Sequence, residues 1–86
     1  MRIDLLLNKL CLAKTRTIAK NACDKNLVQL NGRTAKASSE VKAGDLVRLD
    51  LYGFRHEVKI EKLPTGNVAK KDTTTYYSLL SKTPLE

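Results

Sequence analysis

Near the start of the chain, Ile3, Leu6, Leu7 and Leu10 form a regular set of apolar positions. Their i, i+3, i+4, i+7 spacing marks one helical face and predicts a first helix over residues 3–10. Asp4 falls in its first turn, where a negative charge suits the positive end of the helix dipole. A break is expected from Ala13 to Thr15. The Thr15 hydroxyl is the kind of group an N-cap needs, and Ile18, Ala19, Ala22 and Cys23 supply a second helix, to about Lys25, with its apolar face. Arg16 and Lys20 are neighbours on the other side of that helix. Asn26 follows, where a helix end often takes a left-handed residue.

Beyond Asn26 the hydrophobic period changes. Asn31-Gly32 lies between two short extended runs, residues 27–30 and 33–36, and predicts a tight hairpin, because a type I′ turn needs positive φ twice. Residues 37–42 read as a loop, and Ala43-Gly44-Asp45 as a second turn. Over residues 46–51, Val47, Leu49 and Leu51 point one way and Arg48 and Asp50 the other. Tyr52-Gly53-Phe54 turns the chain. Residues 56–62 alternate again, with Val58 and Ile60 inward, and Pro64 to Asn67 end that strand. Thr73 to Tyr77 is rich in strand-favouring residues and predicts a further short strand. The order gives an α+β fold: two N-terminal helices packed on a small, mainly antiparallel sheet.

Length narrows the picture. A chain of 86 residues is expected to form one domain that buries only about 60% of its unfolded surface. A large enclosed active site does not fit that size. Apolar residues at 42% and charged residues at 29% exclude wholesale disorder. No apolar run approaches the roughly 18 residues of a membrane span. The start shows no signal-peptide cleavage pattern, so the cytoplasm is the expected location. There Cys11 and Cys23 would stay reduced. They lack a second pair and a nearby His, so they read as small apolar fillers on helix faces rather than metal ligands.

The distribution of charge is more informative. The net charge is +7, yet residues 1–36 hold eight basic groups against two acidic ones, a net +6. Segregation of this kind points to a binding face for a polyanion. Catalytic chemistry is sparse by contrast. His56 is the one histidine, on the Val58 and Ile60 side of its strand, and the glycines stand singly at turns. No nucleophile-and-base set and no phosphate loop can be assembled. The chain is read as a non-enzyme without cofactor or metal. Its candidate contacts are Arg2, Lys14, Thr15, Arg16, Lys20, Arg33 and Lys36. The N-terminus of the second helix, flanked by Lys14 and Arg16, offers free N–H groups to a phosphate. None of the aromatic residues falls in the basic region. That speaks against a single-strand stacking module and for backbone and shape reading of folded RNA.

Arg2-Ile3-Asp4, Leu6-Leu7, Lys14-Thr15-Arg16, Ala19, Ala22, Asn31-Gly32, Ala35-Lys36-Ala37-Ser38-Ser39, Val41 and Gly44-Asp45 together resemble the RNA-binding domain named after small-subunit ribosomal protein four. The resemblance spans about residues 2–51. Within that group the short chain is similar to the heat-shock-protein-fifteen family, of the ribosome-associated quality-control factor P type. The resemblance implies binding to ribosomal RNA and tRNA on obstructed large ribosomal subunits that carry peptidyl-tRNA. It places RNA-contacting arginines at Arg2 and Arg16, and basic support at Lys14, Lys20 and Lys36. It assigns residues 1–51 to the RNA-binding core and 52–86 to a β extension and tail of the same domain, a monomer when free. The family usually has Gly just after the second helix, where this chain has Asn26. Two other readings stay open: a basic adaptor for an acidic protein, and an accessory to an RNA-modification enzyme that binds free structured RNA.

Overall fold

The computed structural model describes residues 1–66 and 68–85. Helix α1 runs Ile3–Lys9 and α2 runs Arg16–Asp24. Strands β1 Val28–Leu30, β2 Arg33–Thr34, β3 Leu46–Leu51, β4 Phe54–Ile60 and β5 Tyr77–Pro84 follow, with a 3₁₀ segment Lys70–Thr75 before the last. The strands form one sheet in the order β2-β1-β3-β4-β5. Every pairing is antiparallel.

The helices start and stop where their side chains dictate. Ile3, Leu6, Leu7 and Leu10 are at most 1% exposed, each worth about 1.5–3 kcal/mol of apolar burial. Past α1, Cys11 takes φ +59, and the Leu12 and Ala13 N–H groups both bond back to the Leu7 carbonyl. The chain thus turns sharply toward α2. There Thr15 Oγ1 accepts the Ile18 N–H at 3.1 Å. Asn26 closes α2 at φ +61, the left-handed position at which Asn replaces the usual Gly with little strain. Alanines at 19 and 22 are buried, which lets α2 lie close to its neighbours.

Val28, Val47, Leu49, Val58 and Ile60 carry the sheet's inner face into the same core as the helices. Ala35, Ala37 and Val41 join them from the irregular stretch between β2 and β3. That stretch also pins the N-terminus. The backbones of Arg2 and Glu40 form an isolated antiparallel β-bridge, the Ile3 N–H bonds to the Ser39 carbonyl and the Asp4 N–H to that of Ala37. The Met1 ammonium donates to Glu40 Oε2 at 2.7 Å, and that bond holds the Glu40 carboxyl below its ordinary range.

Three expectations from the sequence change. Residues 73–75 are 3₁₀ rather than strand, and the strand lies further on, at Tyr77–Pro84. Its pairing with β4 decides this: Ile60 stands opposite Tyr77 and Phe54 opposite Pro84. β4 itself begins at Phe54, because Tyr52-Gly53 alone makes the turn, and ends at Ile60. Only Cys23 fills a helix face. Its burial, with Asp4 and Asp24 nearby, raises its thiol pKa to about 11, whereas Cys11 is exposed beyond the helix end. The expected turn at Pro64 to Asn67 ends on a residue, Asn67, outside the described set.

A bulge opposite Glu57 and Val58 leaves Leu80 without a partner between Ser81 and Leu79. Such a bulge increases local twist and makes an edge strand a poorer template for pairing with other chains.

Candidate nucleic-acid interface

The basic segment carries a charge cluster built around a buried carboxylate. Asp4 is 2% exposed, and its Oδ1 accepts the Leu5 N–H at 2.8 Å. Arg2 reaches it from the residue before α1, with Nε 3.3 Å from Oδ1. Arg16 reaches it from the first residue of α2, with Nε 3.4 Å from Oδ2. Residues twelve positions and more apart thus meet because α1 and α2 pack with their N-terminal ends on one side. The guanidinium groups are not used up by this. The Arg2 and Arg16 side chains are 47% and 50% exposed, and each carries five N–H donors. One anion holding two cations leaves a local surplus of positive charge and two forks aimed by a common anchor. Arginine is the residue suited to gripping two phosphate oxygens at once.

Arg2, Asp4, Arg16, Thr17 and Lys20 line one open cleft of about 280 Å³. Lys36 joins from the other side: it lines a second open cleft with Arg2, Asn26 and Ser38. Arg2 therefore connects the α2 cluster to the loop after β2. Lys36 is held in place by its own backbone, whose N–H bonds to Ser39 Oγ at 2.9 Å. Lys14 stands just before α2, exposed. Arg33 is exposed on the short edge strand β2, and neither cleft includes it. The Thr15 hydroxyl accepts the Ile18 N–H as the α2 cap, so its geometry is that of a helix-start residue. Among the described residues, no three His, Cys, Asp or Glu side chains come together as a metal site. No helix among them is long and apolar enough to cross a membrane. His56 is half-buried, its Nε2 3.3 Å from the Leu51 carbonyl oxygen.

One contributor has no signature in the sequence. Tyr52 comes from the β3–β4 turn, far from the basic segment in sequence, yet its hydroxyl accepts the Lys14 N–H at 2.8 Å. The Lys14 ammonium lies 5.4 Å from the ring centroid. An aromatic group therefore does stand in the basic region, contrary to expectation. Only the fold brings the two together, and no local pattern announces it. Lys9, a basic residue outside the candidate contacts, donates to the Gly66 carbonyl at 3.0 Å and so faces the chain's own loop.

Comparison with known proteins bears on the family and the fold. The S4 domain family matches residues 1–47, which hold Asp4 and all seven candidate contacts. An RQC P-site tRNA stabilizing factor from Helicobacter pylori is 42% identical over 83 residues, covering 95% of this chain and 99% of that protein. A protein of the same description from Bacillus subtilis is 33% identical over 85 residues, with 99% and 98% covered. Among solved structures, the trimeric structure of Vibrio cholerae Heat Shock Protein 15 superposes with a TM-score of 0.87 at 26% identity, covering 94% of this chain and 82% of that one. With its two helices, its antiparallel sheet and its near full-length relatives, the chain belongs to the S4 domain family and, within it, to the RQC P-site tRNA stabilizing factors.

Proposed function

We propose that this protein is an RNA-binding factor of ribosome-associated quality control. It docks on ribosomal RNA and tRNA of an obstructed large ribosomal subunit and holds peptidyl-tRNA there, without chemistry of its own. The observation that carries this is the convergence of Arg2 and Arg16 on the buried Asp4. Two oriented guanidinium forks, with Lys20 and Lys36 beside them, suit a phosphate backbone whose grooves are read by shape. Lys14 and Arg16 flank the α2 N-terminus, where the helix dipole favours the same anion. In this reading residues 1–51 hold the arginine and lysine contacts to RNA, and β4 and β5 extend the sheet that supports them. The chain acts as a cytoplasmic monomer when free. Arg33 and Thr15 belong to the interface as a peripheral charge and a helix-start residue.

The test is sedimentation of the tagged protein from native lysate, with the RNA in each fraction identified. Enrichment on large subunits together with tRNA is expected. Absence from every ribosomal fraction, with the protein folded and abundant, would remove this reading.

Asp4 supplies a sharper test of how the face works. Asp4→Asn raises the net charge by one, so if charge alone set affinity, RNA binding would tighten. Relief of the anion's repulsion is worth about 1 kcal/mol for a phosphate at about 4 Å in water. Freeing two arginines forfeits orientation against about 2 kcal/mol of rotamer entropy each. The loss of orientation outweighs the relief of repulsion. Asp4→Asn is expected to weaken binding about tenfold, which fluorescence anisotropy on ribosomal RNA fragments would measure.

A further inference from the structure

Two hairpins in this chain are built on the same turn. Asn31-Gly32 has φ +52 and +83, and Tyr52-Gly53 has φ +55 and +78. Asn is an ordinary occupant of the first position, because its short polar side chain tolerates left-handed backbone. A tyrosine there is an outlier that costs conformational energy, and such outliers concentrate at functional sites.

Part of the compensation is local, since the Tyr52 hydroxyl accepts the Lys14 N–H at 2.8 Å. That contact uses only the oxygen. The residue stays 45% exposed, and the Lys14 ammonium lies 5.4 Å from the ring centroid. The turn fixes one end of the ring and the hydrogen bond fixes the other. A half-exposed aromatic ring with a cation over one of its faces is therefore held at both ends, and that cation belongs to a residue two positions before Arg16. A flat π partner next to an anion matches this pair. A closed RNA duplex offers no free base face, whereas an unpaired nucleotide offers both base and phosphate.

We propose that Tyr52 and Lys14 form a nucleotide site, the ring stacking on an unpaired RNA base and the ammonium pairing with its phosphate. The site rests on the RNA-binding reading above and adds to it a preference for RNA with an unpaired base at the edge of the Arg2 and Arg16 face.

Two probes test it: an RNA stem closed by an unpaired loop containing a fluorescent base analogue, and the same stem as a blunt duplex. The wild-type protein is expected to bind the stem-loop about tenfold more tightly than the duplex and to change the analogue's fluorescence. Tyr52→Asn keeps the turn and removes the ring, so it should lose that preference and the fluorescence change, its stem-loop affinity falling to that for the duplex. Tyr52→Phe keeps the ring and should keep both. Thermal melts check that each variant is folded. Equal wild-type affinity for the two probes, or a preference that survives Tyr52→Asn, would overturn the site and leave RNA binding standing. A fall on both probes shared by Tyr52→Asn and Tyr52→Phe would overturn it in favour of a structural hydrogen bond. No binding of either probe would overturn the site and the RNA-binding reading together.

Discussion

Arg2→Ala combined with Arg16→Ala is expected to reduce affinity for large-subunit RNA by at least about a hundredfold. A hydrogen bond to a charged partner is worth about 1.5–3 kcal/mol. Two such groups together give about 3–6 kcal/mol, or two to four decades in affinity. The salt dependence should change too: losing two phosphate contacts flattens the log-log slope by about 1.8 on a duplex. Lys82→Ala is the control. Its ammonium sits 4.6 Å from the Phe54 ring centroid, away from the Asp4 cluster, and its removal should leave affinity within about twofold, since a cation–π contact at an exposed site is worth only about 0.5–1 kcal/mol to the fold.

Stability complicates the double variant. With both arginine side chains gone, the buried Asp4 carboxylate keeps the Leu5 N–H but loses both of its cations. An unpaired buried charge is destabilising. The melting temperature of the double variant should therefore fall, and weak binding could be blamed on unfolding. Adding Asp4→Asn separates the two effects. The triple variant no longer buries a charge, so its melting temperature should recover, while its RNA affinity stays lost. If affinity returned along with stability, the arginines would be structural and the proposed face would be wrong.

Much of this arrangement was legible in the sequence, for identifiable reasons. The Ile3, Leu6, Leu7, Leu10 stripe announces α1 because a helix repeats its face every three to four residues. Thr15 announces the start of α2, and its hydroxyl does cap the helix. Asn31-Gly32 announces a hairpin because few residue pairs accept positive φ twice. The charges of Asp4, Arg2 and Arg16 at two helix starts are visible in the sequence, but that one carboxylate meets both guanidinium groups follows only from the packing of α1 against α2. Other features had no local signature. Ala35, Ala37 and Val41 are core residues from an irregular stretch, where no period marks the buried side. Thr73 to Tyr77 has the composition of a strand, yet residues up to Thr75 are 3₁₀. Strand propensity expresses fit to a pleated, half-buried surface, and here β4 offers that surface only from Tyr77 onward. The Tyr52–Lys14 contact joins residues 38 apart through packing of the whole domain.

Leu7→Ala should cost the fold about 2–5 kcal/mol, the range for removing a fully buried leucine. Leu7 is 0% exposed, at the end of α1 where its carbonyl also accepts the Leu12 and Ala13 N–H groups. The surrounding turn is therefore fixed and can do little to fill the cavity. A domain of this size has a total stability of about 4–13 kcal/mol, so the loss is a large fraction of it. At about 4–8 °C per kcal/mol, the melting temperature should drop by about 10–40 °C. Leu79→Ala, at a residue 54% exposed, should change it by little. The same variant distinguishes support from contact. Leu7 is wholly within the core and touches no RNA in the proposed mode, so molecules that remain folded should bind normally. Saturating RNA should then stabilise Leu7→Ala by the same RT ln(1 + [L]/Kd) as the wild type, about 2.7 kcal/mol at a hundredfold excess over Kd. The Arg2 and Arg16 double variant should gain almost none of that. A Leu7→Ala protein that RNA failed to stabilise would mean that the core change had reached Asp4 and its two arginines, and that α1 packing itself sets the geometry of the binding face.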